Sequence, residues 1–217
     1  LAMGPDSNGA YNAIIERPKF LYNEKTGKSV MWFHCDGKYP DSGATSNYGK
    51  ARAGIAIADS PAGPYKYVGS YLLATGTATG EADHSWDAEG GHVRDMNLFK
   101  DDDGTAYVMY SSEGNAIMYI ARLNEDYTGL AKDASDMVYG EDFIIASTDS
   151  LEAPAMFKYN CKYYLLTSCC TGWSPNRAAY AVTDDILGEW TRLGDPCVDK
   201  GNSYPSVNGV SVNTSTT

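Results

Sequence analysis

The sequence repeats itself, and the repeat restricts the possible folds more than any other feature. Three segments share one layout: an acid, a short strand, a tight turn and a second strand. The first runs from Glu16-Arg17-Pro18-Lys19-Phe20-Leu21-Tyr22 through a turn at Thr26-Gly27 to Ser29-Val30-Met31-Trp32-Phe33. The second runs from Arg94-Asp95-Met96-Asn97-Leu98-Phe99-Lys100 through Asp101-Asp102-Asp103-Gly104 to Ala106-Tyr107-Val108-Met109-Tyr110. The third runs from Glu152-Ala153-Pro154-Ala155-Met156-Phe157-Lys158 through Tyr159-Asn160 to Lys162-Tyr163-Tyr164-Leu165-Leu166. A third strand is expected after each pair, at 53–58, 117–121 and 178–182, and a short outer strand at 63–67, 126–130 and 188–191. Apolar residues alternate with period two, and no long 3.6-residue pattern is present, so the chain reads as all-β.

Three to four antiparallel strands joined by turns make one blade of a β-propeller. Residues 1–217 therefore read as one partial propeller domain of about three blades, starting near 14, 93 and 150. The stretch 75–91, rich in Gly, Ala and Asp, lengthens the first interval and reads as a loop insertion on one face. It carries Asp83, His84 and Asp87, with His92 just beyond. The 17 tyrosines and 22 glycines suit strands and turns. Aromatic faces also stack on the apolar face of a sugar ring.

In a propeller, the first strand of each blade lines the central channel. Acids at the strand starts then bring Glu16, Asp95 and Glu152 around one pocket. Glycoside hydrolysis needs such convergence: one carboxyl protonates the leaving oxygen while a base across the sugar activates water. A further carboxylate beside the acid favours its protonated form. A single acid beside a strand is usually a solvated loop residue, but three in one register carry more weight. The structural alternative is an acid repeated for pairing with Arg17 or Arg94.

The net charge of −11 argues against a nucleic-acid partner and suits a neutral polysaccharide or oligosaccharide. No apolar run approaches the roughly 18–20 residues of a membrane span. The first ten residues lack the basic start and apolar stretch of a signal peptide. An extracellular or periplasmic location is nonetheless expected, with a signal removed or belonging to a longer chain. Five cysteines without a CxxC pair, beside three histidines, do not indicate zinc. A Cys161–Cys197 disulfide is left open. The Asp101-Asp102-Asp103-Gly104 run has a passing likeness to a calcium loop but reads as a hairpin turn. No cofactor is expected, calcium being left open with no ligand identified, and His34, on a strand, reads as structural or as a pocket wall.

The run from Arg94 to Gly104 resembles a segment of glycoside hydrolase family 43 in which an aspartate precedes a strand and an acidic turn. The resemblance implies that Asp95 tunes the pKa of the catalytic acid. Glu152-Ala153-Pro154 with Phe157-Lys158 resembles the segment carrying the general acid, which implies that role for Glu152. Glu16-Arg17-Pro18-Lys19, Met31-Trp32-Phe33-His34 and Thr171-Gly172-Trp173-Ser174-Pro175-Asn176 resemble the exo-β-1,3-galactanase branch. That likeness implies Glu16 in the active site, sugar contacts at Tyr48, Asn115, Thr171 and Trp173, and a stacking face at Trp173. It also implies a five-bladed propeller, of which this chain covers about three blades, and inversion at the anomeric carbon. Most of the family takes its base from an aspartate on a blade before Glu16, and the galactanase branch from a glutamine further along. The sequence contains no glutamine, so the water-activating group is expected outside this chain. The alternatives are an α-L-arabinofuranosidase or β-xylosidase of the same family, or a non-catalytic carbohydrate-binding propeller.

Overall fold

The computed structural model describes residues 14–37, 48–76, 91–172, 174 and 176–196, together with the strand backbone at 206–207 and 210–211. It contains three four-stranded antiparallel sheets in which each strand pairs with its neighbours in sequence. The first sheet is β1 (Ile14–Asn23), β2 (Lys28–Asp36), β3 (Arg52–Ala58) and β4 (Lys66–Tyr71). The second is β5 (Met96–Lys100), β6 (Ala106–Ser112), β7 (Ile117–Arg122) and β8 (Phe143–Ser147). The third is β9 (Leu151–Tyr159), β10 (Lys162–Cys169), β11 (Ala178–Thr183) and β12 (Thr191–Gly194). A short hairpin of β13 (Ser206–Val207) and β14 (Val210–Ser211) follows. This is the meander of propeller blades, three in succession.

The first strands sit innermost. Asn97 on β5 donates to the Pro154 carbonyl of β9 at 2.9 Å, and Lys100 donates to the Tyr22 carbonyl of β1 at 3.1 Å. In a meander, the starts of β1, β5 and β9 share one end of the sheets with the connections leaving β2, β6 and β10. The tight hairpins after β1, β5 and β9 lie at the opposite end. The Asp101–Gly104 segment is such a hairpin turn: Gly104 donates to the Asp101 carbonyl at 3.0 Å with φ of 87°, a conformation that favours glycine.

Period-two alternation feeds two separate cores. On β6, Val108 and Tyr110 are buried against Trp32 and Ile55 of the first sheet. Between them, Met109 points the other way, into a cluster with Leu151 and Leu165 of the third sheet. On β7, Tyr119 and Ala121 face the first sheet while Met118 and Ile120 face the third. Trp32 is fully buried, and its indole N–H donates to the Tyr127 carbonyl at 2.7 Å, so this aromatic leaves no orphaned donor. Burial of one such side chain contributes about 2–3 kcal/mol.

One expected strand is misplaced. The outer strand of the second sheet is Phe143–Ser147, not 126–130. Residues 126–130 form a turn instead. The Asn124 side chain accepts from the Thr128 amide at 3.0 Å, the Tyr127 amide donates to the Asn124 carbonyl at 3.0 Å, and Tyr127 takes φ of 63°. An asparagine that caps its own turn outcompetes the weak strand preference of Tyr and Thr. The outer strands of the first and third sheets begin a few residues later than the sequence suggests.

Candidate active site

Glu16 and Glu152 occupy the same local structure. Glu16 pairs with His34 and Lys19 with Trp32, so Arg17 and Pro18 together oppose the single residue Phe33. Glu152 pairs with Ser168 and Ala155 with Leu166, so Ala153 and Pro154 together oppose Thr167. Each is a β-bulge, where a proline without an N–H fits a strand. The residue after each glutamate is left-handed, with φ of 53° at Arg17 and 49° at Ala153. A non-glycine residue in that region costs on the order of 1–2 kcal/mol. The repeated Glu-X-Pro therefore marks two bulges that re-aim the glutamates at the strand starts.

Asp95 lies between them, immediately before β5. Its Oδ1 is 2.8 Å from Arg17 Nε, and its Oδ2 accepts from the Ala153 amide at 2.9 Å. The strained residue of each bulge thus grips one oxygen of the same carboxylate. The pairing with Arg17, weighed above as a structural alternative, is formed. Arg94 serves elsewhere: it donates to Asp36 at 3.3 Å and to the Tyr48 carbonyl at 3.2 Å.

Glu152 is half-buried and held through one oxygen. Its Oε1 accepts from Asn115 Nδ2 at 2.8 Å and from Cys170 Sγ at 3.2 Å. Among the described residues no group bonds its Oε2. Asn115 sits in the tight turn between β6 and β7, where the Ala116 amide donates to the Glu113 carbonyl and Gly114 and Asn115 both take positive φ. Burial and then the Glu152 carboxylate push the Cys170 thiol above its ordinary pKa, keeping it a donor. Glu16 accepts from Tyr48 OH at 2.9 Å, and that bond raises the Tyr48 phenol.

Behind Tyr48, His34 is buried, with Nδ1 at 2.7 Å from the Val93 carbonyl and Nε2 at 2.9 Å from Asp36. Burial works against the Asp36 carboxylate, but the His34 ring and the Ala51 and Gly37 amides outweigh it and hold the carboxyl below its usual range. His34 is therefore a structural strut of the pocket wall.

Thr171, implied above as a sugar contact, lies in the loop that follows β10. Its hydroxyl donates to the Ser174 carbonyl at 2.6 Å and accepts from Asn176 at 2.6 Å, so its one proton holds the loop. Asn176 also bridges both backbone groups of Cys169, at 3.1 and 2.6 Å. Trp173 lies outside the described residues, as do Asp83, His84, Asp87 and Cys197. Cys161, Cys169 and Cys170 carry free thiols. Arg17, Cys170 and Asn176 went unnoticed as site residues in the sequence.

Other acids are engaged elsewhere. Asp101 pairs with Lys158 at 2.6 Å, and buried Asp142 pairs with Arg122 at 2.6 Å and Lys132 at 2.5 Å. An open cleft of about 1040 Å³ lies at the hairpin end, lined by Glu24, Lys100, Asp101 and Glu125, away from the strand starts. Among the described residues, no three His, Cys, Asp or Glu side chains converge as a metal site, and no helix is long and apolar enough to cross a membrane.

The profile of Glycosyl hydrolases family 43 matches residues 31–210. The chain belongs to glycosyl hydrolase family 43. The matched stretch contains Asp95 and Glu152, while Glu16 precedes it. Among family 43 structures, a β-1,3-galactosidase solved with galactodeoxynojirimycin is 34% identical, with a TM-score of 0.73 over 91% of this chain and 63% of that one. An exo-β-1,3-galactanase from Phanerochaete chrysosporium, solved with β-1,3-galactotriose, is 30% identical, with a TM-score of 0.66 over 89% of this chain and 39% of that one. An arabinoxylan arabinofuranohydrolase from Paenibacillus polymyxa is 30% identical over 162 residues, covering 67% of this chain and 24% of that protein. The chain thus spans less than two thirds of each of these proteins.

Proposed function

We propose that this family 43 chain carries the acid side of an inverting exo-β-1,3-galactanase site, releasing galactose from galactan side chains outside the cell. In this reading residues 1–217 belong to a catalytic propeller of five blades. The observation that carries it is the arrangement at the strand starts, where Glu152 keeps one oxygen unbonded among the described residues and Asp95 is clasped beside it. Glu152 donates its proton to the glycosidic oxygen as the bond to the anomeric carbon breaks. Water adds from the opposite face and gives its proton to a base. Asp95 fixes the Glu152 backbone through Ala153. Glu16, with Tyr48, binds galactose hydroxyls, and Trp173 stacks on the ring. The galactose-directed names of the 34% and 30% identical structures support the substrate.

The arabinoxylan-directed name of the Paenibacillus polymyxa relative favours a second reading, release of arabinofuranose. Product analysis separates the two. The full-length protein and its Glu152→Gln variant are incubated with β-1,3-galactan, arabinan and xylan. Galactose release that disappears in the variant is expected. Pentose release establishes the second reading. Sugar binding without release from any polymer refutes both in favour of a binding propeller.

A further inference from the structure

The bonding at Glu152 bears on where the acidic proton resides. A carboxyl oxygen has two lone pairs. Both of those on Oε1 face a donor, Asn115 Nδ2 at 2.8 Å and Cys170 Sγ at 3.2 Å. The donors come from different blades. Asn115 is on the β6–β7 turn, and Cys170 follows β10. They also touch each other, Asn115 Nδ2 lying 3.8 Å from Cys170 Sγ.

We propose that Cys170 and Asn115 are positioning residues that fix the acidic proton of Glu152 on Oε2 and take up the charge left on the carboxylate after transfer. The proposal rests on reading Glu152 as the general acid. With Oε1 saturated, a proton on the carboxyl sits on Oε2, the oxygen with no partner among the described residues. When the proton moves to the glycosidic oxygen, both hydrogen bonds become charge-assisted and strengthen. That gain appears only as the leaving group departs, which is where it accelerates the reaction. The placement is held from behind: Asn176 bridges Cys169, and the Cys170 amide donates to the Ser150 carbonyl at 3.1 Å.

The test is leaving-group dependence in the full-length protein. β-1,3-Galactobiose needs protonation of its leaving oxygen, whereas dinitrophenyl β-galactoside departs with little help. General acid catalysis contributes roughly 10²–10⁴-fold, so Cys170→Ala is expected to lose about tenfold more kcat/KM on galactobiose than on the aryl substrate. Cys170→Ser, whose hydroxyl still donates, is expected to recover most of that difference. Equal losses on both substrates, or no recovery by serine, overturn the proposal.

A second measurement needs no turnover. Iodoacetamide labelling of Cys170, followed by peptide mass spectrometry at fixed pH, is expected to speed up in Glu152→Ala, because the thiol loses the oxygen to which it donates. Unchanged labelling removes the contact and the proposal with it. Galactobiose turnover that survives Glu152→Gln sinks the general-acid reading and this proposal together. Loss in Glu152→Gln without leaving-group discrimination in Cys170→Ala sinks this proposal alone.

Discussion

Replacing Asp95 by alanine should separate the blades at their inner strands, and the cost can be built from its two bonds. The Ala153 amide donates to Oδ2 at 2.9 Å, and a hydrogen bond to a charged acceptor is worth about 1.5–3 kcal/mol. Arg17 is 2.8 Å from Oδ1 with its side chain 40% exposed, so solvent screens that pair to about 0.2–1 kcal/mol. Asp95→Ala should therefore lose about 2–4 kcal/mol in urea unfolding. Asp95→Asn should lose less, about 1 kcal/mol. Its carbonyl can still accept from Ala153, while its amide displaces Arg17 into water. Activity on galactan should fall in both, because Ala153 adjoins Glu152. An Asp95→Ala protein with the wild-type midpoint would refute the clasp.

Further outcomes follow from the same structure. Ala153→Gly relieves the left-handed backbone at φ 49° and should be neutral to stabilising by up to about 1 kcal/mol, read by the same urea titration; a loss above that contradicts the strain. Asp142 is buried between Arg122 and Lys132; burial raises its carboxyl, but these cations and the Val138 amide overcome that and hold it at about 2. A depressed carboxylate stabilises the fold above its unfolded pKa, and that stability is lost as pH falls from about 4 towards 2. The Tm gap between wild type and Asp142→Asn should shrink across that window, and a constant gap refutes the assignment. Trp32→Ala should cost about 3–5 kcal/mol in the same unfolding assay. Tyr48→Phe should raise KM for galactan while moving stability by less than about 0.5 kcal/mol, since its bond to Glu16 is exposed.

Much of this arrangement is written in short-range pattern. Glu16, Asp95 and Glu152 share a register because each blade repeats one hairpin, and the apolar run at 106–110 announces a strand. The Glu-X-Pro motif is visible too, but the left-handed turn at Arg17 and Ala153 depends on the partner strand that the bulge opposes. The error at 126–130 arose because Asn124 satisfies its own loop, a side-chain bond that period-two patterning does not register. Cys170 was unreadable for a different reason. Its approach to Glu152 depends on Asn176 folding the loop back, and no local signal separates such a cysteine from its half-buried neighbour Cys169. Thr171 matched a motif, and the bond from its hydroxyl to the Ser174 carbonyl depends on the folded loop rather than on any local pattern.

The opposed side chains of β6 have a consequence for how this architecture can be cut or grown. Val108 and Tyr110 complete one hydrophobic seam and Met109 the next, so the middle sheet is a wall shared by two rooms. A single blade excised between sheets would carry two bare apolar faces and no interior. The smallest piece with an enclosed core is a pair of adjacent sheets, and duplicating one blade succeeds only if both its faces fit new neighbours.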